Sequence, residues 1–231
     1  MNVLDIISEN RGEQHAQVLR MHGEEVAQIE SNNRFDAVQK QRDTNQTKGP
    51  GRGLFQYEVA ENAMGGAKGS GAAKTALTRY KTFYKHYGQE IPEAYKEELN
   101  RVNSDNPDFS KLSRELQEEI FYADKERSKM PLDELATGQL SLKDAYVDYH
   151  WIGNRSSQDY DSERTRVSTL YEKKIGPVDD IEPMKPTINN NEMIIQEAKK
   201  AASKVAGTKF NVLNVMKDLG QVFEPFEREE N

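Results

Sequence analysis

The sequence predicts a mainly α-helical protein, and three observations support that prediction. Apolar residues recur every three or four positions along several segments, which is the spacing of one helix face. Strict alternation of apolar and polar residues, the pattern of a half-buried strand, is almost absent. Helix start and stop residues flank the periodic segments; Ser141, for example, stands three residues before Asp144, as in a capping box.

The first helix is predicted at residues 14–30, where an apolar stripe that includes Val18, Val26 and Ile29 ends at Glu30. Residues 31–53 turn polar and lose periodicity, which predicts a long loop with room for a short hairpin. Further helices are predicted at 73–87, 92–102, 112–123, 131–138, 141–151 and 162–174.

A proline-rich stretch divides the chain. Three of the eight prolines lie within residues 176–188, among several acidic residues, which is a composition typical of an extended linker. Beyond it, apolar residues at helical spacing predict two short helices. We therefore predict a main helical domain at 1–175, a linker at 176–188 and a small helical extension at 189–231.

Composition excludes several classes of function. With 32 Lys and Arg against 39 Asp and Glu, the net charge of −7 is a poor match to nucleic acid, which is bound through clustered cations. The absence of Cys removes disulfides, thiolate metal sites and cysteine nucleophiles, and four scattered His make a histidine-only metal site improbable. We expect no cofactor, no metal, no transmembrane segment and, because an acid stands at position 5, no export signal.

Two segments contain the candidate site. The first is the pair Glu30-Ser31, followed by Ala37, and the second is the run Gly53-Leu54-Phe55-Gln56. Together they resemble the lysozyme-like lytic transglycosylases, which have an acid-serine pair at a helix end, an alanine a few residues later and a Gly-Leu-Met-Gln type turn. The longer run at 49–58, which ends in Phe-Gln-Tyr-Glu, is similar to that of a bacteriophage virion-associated branch of this superfamily.

The resemblance spans residues 12–174 and includes the aromatic-rich segment at 146–151, which is similar to the helix that closes the fold in the phage branch. It implies a lysozyme-like helical domain. Two departures stand out. Gly53 follows Glu30 by 23 positions, a longer spacing than in the common bacterial enzymes, and their Tyr-Asn-Ala-Gly type motif has only a partial echo in Ala145-Tyr146.

Glu30 is the predicted catalytic residue. Cleavage of a β-1,4 glycosidic bond needs an acid that is still protonated near neutral pH, so its pKa must rise from about 4.3 toward about 6. An apolar wall at the end of the first helix, closed over by Leu54 and Phe55, would raise it by desolvation. A positioned general acid contributes typically about 10²–10⁴-fold in rate.

Five residues are predicted to bind substrate. Ser31 and Gln56 offer uncharged hydrogen-bonding groups for sugar hydroxyls and N-acetyl carbonyls, and Tyr57, Tyr149 and Trp151 offer rings that could stack on pyranose units. The same residue types also fit structural roles, in the loop for Gln56 and Tyr57 and in the core for the other two aromatics. Both interpretations remain open at the level of sequence.

The type of cleavage depends on a second carboxylate. Hydrolysis of the usual kind needs one as nucleophile or base, and Asp36, Asp43 and Glu58 lie within sequence range without any being singled out. A transglycosylase can use one glutamate as acid and then as base, with a hydroxyl of the sugar as the attacking group. A single convincing acid favours the transglycosylase.

The resemblance implies a protein carried in a phage particle and released into the host envelope or periplasm, where it would cleave peptidoglycan to aid genome entry. Residues 189–231 could then dock onto other tail or internal-core proteins of the virion. The main alternative is a catalytically inactive lysozyme-like structural protein of the virion. An endolysin released at lysis would share the chemistry without needing docking helices.

Overall fold

The computed structural model of the protein describes residues 1–40, 48–61, 69–151 and 160–176. Its architecture is mainly α, as the sequence predicts, with eight helices in the described part of the chain. They are α1 (Val3–Arg11), α2 (Glu13–Ser31), α3 (Ala72–His86), α4 (Glu93–Leu99), α5 (Arg114–Arg127), α6 (Leu132–Ala136), α7 (Leu142–Asp144) and α8 (Tyr160–Ile175).

The predicted helices correspond to α2 through α8, whereas α1 was not predicted. Its start is fixed by a capping box, in which Asn2 Oδ1 accepts from the Asp5 backbone N–H at 2.8 Å and the Asp5 carboxylate accepts from the Asn2 N–H. Val3, Leu4, Ile6 and Ile7 are buried on its inner side. The first five residues are therefore part of the folded domain.

Helix α5 lies at the centre of the described fold. Its residues from Leu116 to Glu126, apart from Glu118, are all buried, and it packs against α3, α2 and α1. Ser113 caps its N-terminus by accepting from the Leu116 N–H at 3.3 Å. Burial of a side chain such as Ile120 or Phe121 stabilises the fold by roughly 1.5–3 kcal/mol.

A small antiparallel sheet follows α2, with strands β1 (Val38–Lys40), β2 (Lys48–Arg52) and β3 (Tyr57–Glu58) in that order. Arg52 pairs with Val38 on one side and with Tyr57 on the other. The sequence predicted a loop with room for a short hairpin here. Strands of two to five residues that include Gly49-Pro50-Gly51 are too short and irregular to show alternation.

After α5 and α6 the chain returns to the end of α2. Ser141 caps α7 by accepting from the Asp144 N–H at 3.0 Å, and the helix continues as a π-helical segment, Ala145–Trp151. Helix α8 then packs against α2, where Tyr171 donates a hydrogen bond to Glu25. This return places Tyr146 and His150 beside Glu30.

The described residues all belong to one unit, Met1–Pro186. Apart from Gly176, the predicted linker at 176–188 and the predicted extension at 189–231 lie outside the described residues. Within the described ranges, none of the helices has the length and apolar character needed to span a membrane.

Candidate active site

Glu30 lies in the last turn of α2, and the way this helix ends fixes its position. Asn32 adopts a left-handed conformation with φ 51° and its N–H bonds to the Ala27 carbonyl, which closes the helix. Ser31 is buried; its hydroxyl donates to Ala27 O at 3.0 Å and accepts from the Arg34 N–H at 3.1 Å. The Ser31 hydroxyl, predicted to bind substrate, thus holds the turn beside Glu30.

The Glu30 carboxyl group is held on one oxygen. The Tyr146 hydroxyl donates to Oε1 at 2.8 Å, and Nε2 of His150 lies 3.8 Å from the same oxygen. Oε2 has no hydrogen bond or ion pair with any described residue. The side chain is 10% exposed, so the carboxyl group is nearly buried.

Burial raises the pKa of Glu30 to about 7, mainly by desolvation of the charged form. The Tyr146 hydrogen bond and the charge of Lys125 act in the opposite direction, because both favour the carboxylate. The desolvation outweighs them. A carboxyl group with this pKa is about half protonated at neutral pH, which is the condition for a general acid.

Two buried histidines, His22 and His150, are held in the neutral form. Burial, aided by the charge of Lys125, lowers the pKa of His22 to about 3 and that of His150 well below its usual value. Both ring nitrogens of His22 lack a hydrogen-bond partner among the described residues. His150 stacks on Tyr146 with ring centroids 5.7 Å apart. These rings add apolar surroundings rather than charge.

A buried ion-pair network lies behind the site. Asp124 accepts from the Tyr57 hydroxyl at 2.8 Å and from Arg79 Nη1 at 2.8 Å, and Lys125 Nζ lies 3.7 Å from its carboxylate. The Lys125 ammonium also lies 5.1 Å from the centre of the Phe121 ring. The Tyr57 ring is therefore buried in the core, and its hydroxyl is used by Asp124.

The Gly53–Gln56 turn is held by hydrogen bonds from three directions. The Gly53 N–H donates to Ala37 O at 2.7 Å, and Gln117 Oε1 accepts from the Leu54 N–H at 2.6 Å. Gln56 has a positive φ of 49°, and its side-chain Nε2 donates to Gly53 O at 2.7 Å. The amide nitrogen of Gln56, predicted to contact sugars, closes its own turn, and its Oε1 points to Gly51.

The two remaining predicted substrate residues lie on the π-helical segment. Tyr149 is half-buried and packs against the hydrophobic core. Trp151 is 38% exposed, with its ring 6.3 Å from the Tyr146 ring and the Arg166 guanidinium 5.4 Å from its centre. Among the aromatic residues predicted to bind substrate, Trp151 is both exposed and close to Tyr146, the hydrogen-bond partner of Glu30.

The two candidate second carboxylates that the structure describes, Asp36 and Glu58, do not contact Glu30. Asp36 is exposed and pairs with Arg34 at 3.4 Å, and Glu58 accepts from the Ser70 N–H at 2.8 Å. Asp43 lies outside the described residues. The described residues also contain no group of three or more side chains arranged to hold a metal ion.

Sequence reasoning missed four residues that shape this site: Tyr146, His150, Lys125 and Gln117. Tyr146 and His150 stand four positions apart in an aromatic segment, a spacing that places both on one helical face. Their closeness to each other could therefore have been predicted from the sequence. No local sequence pattern indicates that Lys125 is buried or that the Gln117 side chain contacts the Gly53–Gln56 turn. Comparisons with known protein families, curated proteins and solved structures gave no significant match.

Proposed function

We propose that this protein is a phage virion-associated enzyme that cleaves the β-1,4 glycan link of peptidoglycan, with Glu30 as general acid and then general base. The observation that supports it best is the state of Glu30: nearly buried, with a pKa raised to about 7, hydrogen-bonded on Oε1 and without a partner on Oε2 among the described residues. A buried carboxyl group without a charged partner is costly to stability and is typical of a catalytic acid.

Each oxygen of Glu30 has its own role in this proposal. While Tyr146 donates to Oε1, the acid proton would be held on Oε2, which has no partner among the described residues. Oε2 would protonate the leaving glycosidic oxygen. The same carboxylate, still held by Tyr146, would then take a proton from a sugar hydroxyl as that hydroxyl attacks the anomeric carbon.

The surroundings of Glu30 favour a transglycosylase over a hydrolase. In the described part of the chain its hydrogen-bond partner is Tyr146 and the neutral ring of His150 lies 3.8 Å away, and neither is a carboxylate. The charge that acts on it most is the Lys125 ammonium. Since no described residue places a second carboxylate beside Glu30 to activate water, attack by a hydroxyl of the same sugar is the simpler route.

Substrate binding falls to the exposed side of the site. Trp151, backed by Arg166, offers a ring edge and face for a pyranose next to Tyr146. Tyr149 and the exposed part of Gln56 would extend this contact, whereas Ser31 and Tyr57 would act by holding Glu30 and the core behind it. Delivery by the virion, and docking through residues 189–231, complete the proposal.

The test is clearing of purified peptidoglycan by wild type, Glu30→Gln and Glu25→Gln. Glu25 is a matched control because it lies on the same helix, has a raised pKa and also accepts a hydrogen bond from a tyrosine, Tyr171. We expect Glu30→Gln to lose about 10²-fold or more and Glu25→Gln to keep most of the activity.

Equal clearing by wild type and Glu30→Gln would refute the role of Glu30, and no clearing by wild type would favour the inactive structural protein. Mass spectrometry of the products separates the mechanisms, since 1,6-anhydro ends come from a transglycosylase and reducing ends from a hydrolase. The presence of the protein in purified particles tests delivery by the virion against an endolysin.

A further inference from the structure

A groove of about 250 Å³ opens between the end of the sheet and the segment that follows α4. Its walls include three cationic side chains, two carboxylates and an amide that the following argument uses: Arg52, Arg101, Lys111, Glu61, Asp108 and Asn106. None of these residues belongs to the set around Glu30.

The floor of the groove is fixed in the free protein. Arg52 is buried, and its Nη1 donates to the carbonyls of Gly49 at 2.6 Å and Gly51 at 3.0 Å, while its Nε lies 3.8 Å from Asp108 Oδ1. Asn106 Oδ1 accepts from the Ala60 N–H at 2.9 Å, and Asn106 Nδ2 donates to the Glu61 carbonyl at 2.6 Å. A floor that is already ordered adds little entropic cost to binding.

The rim carries unused charge of both signs. Arg101 is exposed, and its guanidinium has no hydrogen bond or ion pair with any described residue. Lys111 is also exposed, and its Nζ lies 3.9 Å from Asp108. The Glu61 carboxylate, on the same rim, has no partner among the described residues. Among the described residues, the side chains of Arg101 and Glu61 are therefore unpaired, and Lys111 is exposed beside Asp108.

One aromatic layer separates the groove from the candidate active site. The Tyr57 ring lies 6.3 Å from the ring of His150, which is next to Glu30. The Tyr57 ring also lies 5.5 Å from the ring of Phe109, the residue after Asp108. Both rings are buried, so the groove and the candidate active site are joined by a packed aromatic layer of the core.

We propose that this groove binds the peptide stem of peptidoglycan, a short peptide that carries carboxylates and an amino group; this rests on the function proposed above. Arg101 and Lys111 would pair with stem carboxylates, because guanidinium and ammonium groups form charge-assisted hydrogen bonds to them. Glu61 would pair with the amino group. A dense polyanion fits less well, since Glu61 and Asp108 would repel it.

Calorimetric titration tests the groove with three probes: the free stem tetrapeptide, a disaccharide with its tetrapeptide, and the same disaccharide without the peptide. Wild type is compared with the double variant Arg101→Gln/Lys111→Gln. The double variant Lys81→Gln/Lys85→Gln is the control, because it removes the same charge from exposed positions on α3 that do not line the groove.

Wild type and the control should bind the peptide-bearing disaccharide more tightly than the bare one. The groove variant should bind the free tetrapeptide and the peptide-bearing disaccharide about three- to tenfold more weakly, as expected for two partly exposed charge pairs, with no change for the bare disaccharide. Equal binding of both disaccharides by wild type, or an equal loss in the control, would overturn the proposal. If wild type binds the tetrapeptide but does not clear peptidoglycan, the proposed glycan cleavage is contradicted and the peptide-binding groove is not.

Discussion

The Tyr146 hydroxyl donates a 2.8 Å hydrogen bond to Glu30 Oε1, joining two residues that lie 116 positions apart in the sequence. The contact ties the end of α2 to the π-helical segment that completes the domain. It also distinguishes the two oxygens of Glu30, because the one that accepts this bond cannot at the same time hold an outward-facing proton. The proposed catalysis therefore requires that the end of α2 and the π-helical segment be folded together.

The pH dependence of cleavage should report the Glu30 carboxyl group. Its pKa of about 7 means that the protonated form dominates below neutral pH and is lost above it. We expect the rate of clearing to hold at low pH and fall as the pH rises through about 7. Initial rates between about pH 5 and about pH 9 measure this. A rate that rises through neutral pH would contradict the role of Glu30 as the acid.

Tyr146→Phe removes the hydrogen bond and leaves the ring. That bond favours the carboxylate, so its loss should raise the pKa of Glu30 further and move the alkaline limb of the profile to higher pH. The maximal rate should fall about tenfold or more, because a hydrogen bond to a charged group contributes roughly 1.5–3 kcal/mol.

Tyr171→Phe is the matched control for that variant, since it removes a similar donor from Glu25 on the same helix. It should leave the profile and the rate unchanged. If Tyr146→Phe lowers the rate without moving the alkaline limb, the hydroxyl does not act through the protonation of Glu30.

Stability should show the cost of burying Glu30. Its pKa is about 7 in the folded chain and about 4.5 when unfolded, so the folded state holds a proton that the unfolded state loses between these values. The free energy of unfolding therefore falls as the pH rises through this window, by about 3 kcal/mol in all.

Glu30→Gln removes this cost and keeps an acceptor for Tyr146. Urea denaturation should show the variant and the wild type equally stable at about pH 4, and the variant up to about 3 kcal/mol more stable at about pH 8. The comparison cancels other groups that titrate in the same range, such as Glu119. A stability difference that does not change with pH would mean that Glu30 is not perturbed.

The sequence could predict the helices of this fold because their pattern is local. The stripe that ends at Glu30 and the cap at Ser141 are each read within a few residues, and both are confirmed. The sheet could not be predicted as such, since β3 has two residues and β2 contains Gly49-Pro50-Gly51. Helix α1 could have been predicted from Asn2 and Asp5, which form its capping box, but it was not.

The candidate site divides in the same way. Glu30 stands out in the sequence because it is an acid at the end of an apolar stripe. That Tyr146 is its hydrogen-bond partner follows only from the fold, which brings α2 and the π-helical segment together. The raised pKa of Glu30 likewise depends on burial by residues from several elements. Gln117, which reaches from α5 into the turn after Gly53, is an ordinary polar residue of a helix until that turn is placed.

Gly53→Ala should be strongly destabilising, because two costs coincide at this position. Gly53 has φ 75°, a left-handed conformation that costs other residues roughly 1–2 kcal/mol. A Cβ there would also clash with Gln117 Oε1 and lie 3.2 Å from the Phe109 carbonyl carbon. Displacing Gln117 would break its hydrogen bonds to Leu54, Phe35 and Leu112.

The matched control is Gly88→Ala, since Gly88 has a similar φ of 62° but no atom within 4 Å of the added Cβ. Urea denaturation should show a loss of about 1 kcal/mol for this variant and about 3 kcal/mol for Gly53→Ala. Because the turn at Gly53 packs next to the core behind Glu30, the Gly53 variant should also lose clearing activity when both are compared fully folded. Equal losses of stability would show that the backbone conformation alone is responsible and that Gln117 does not constrain the turn.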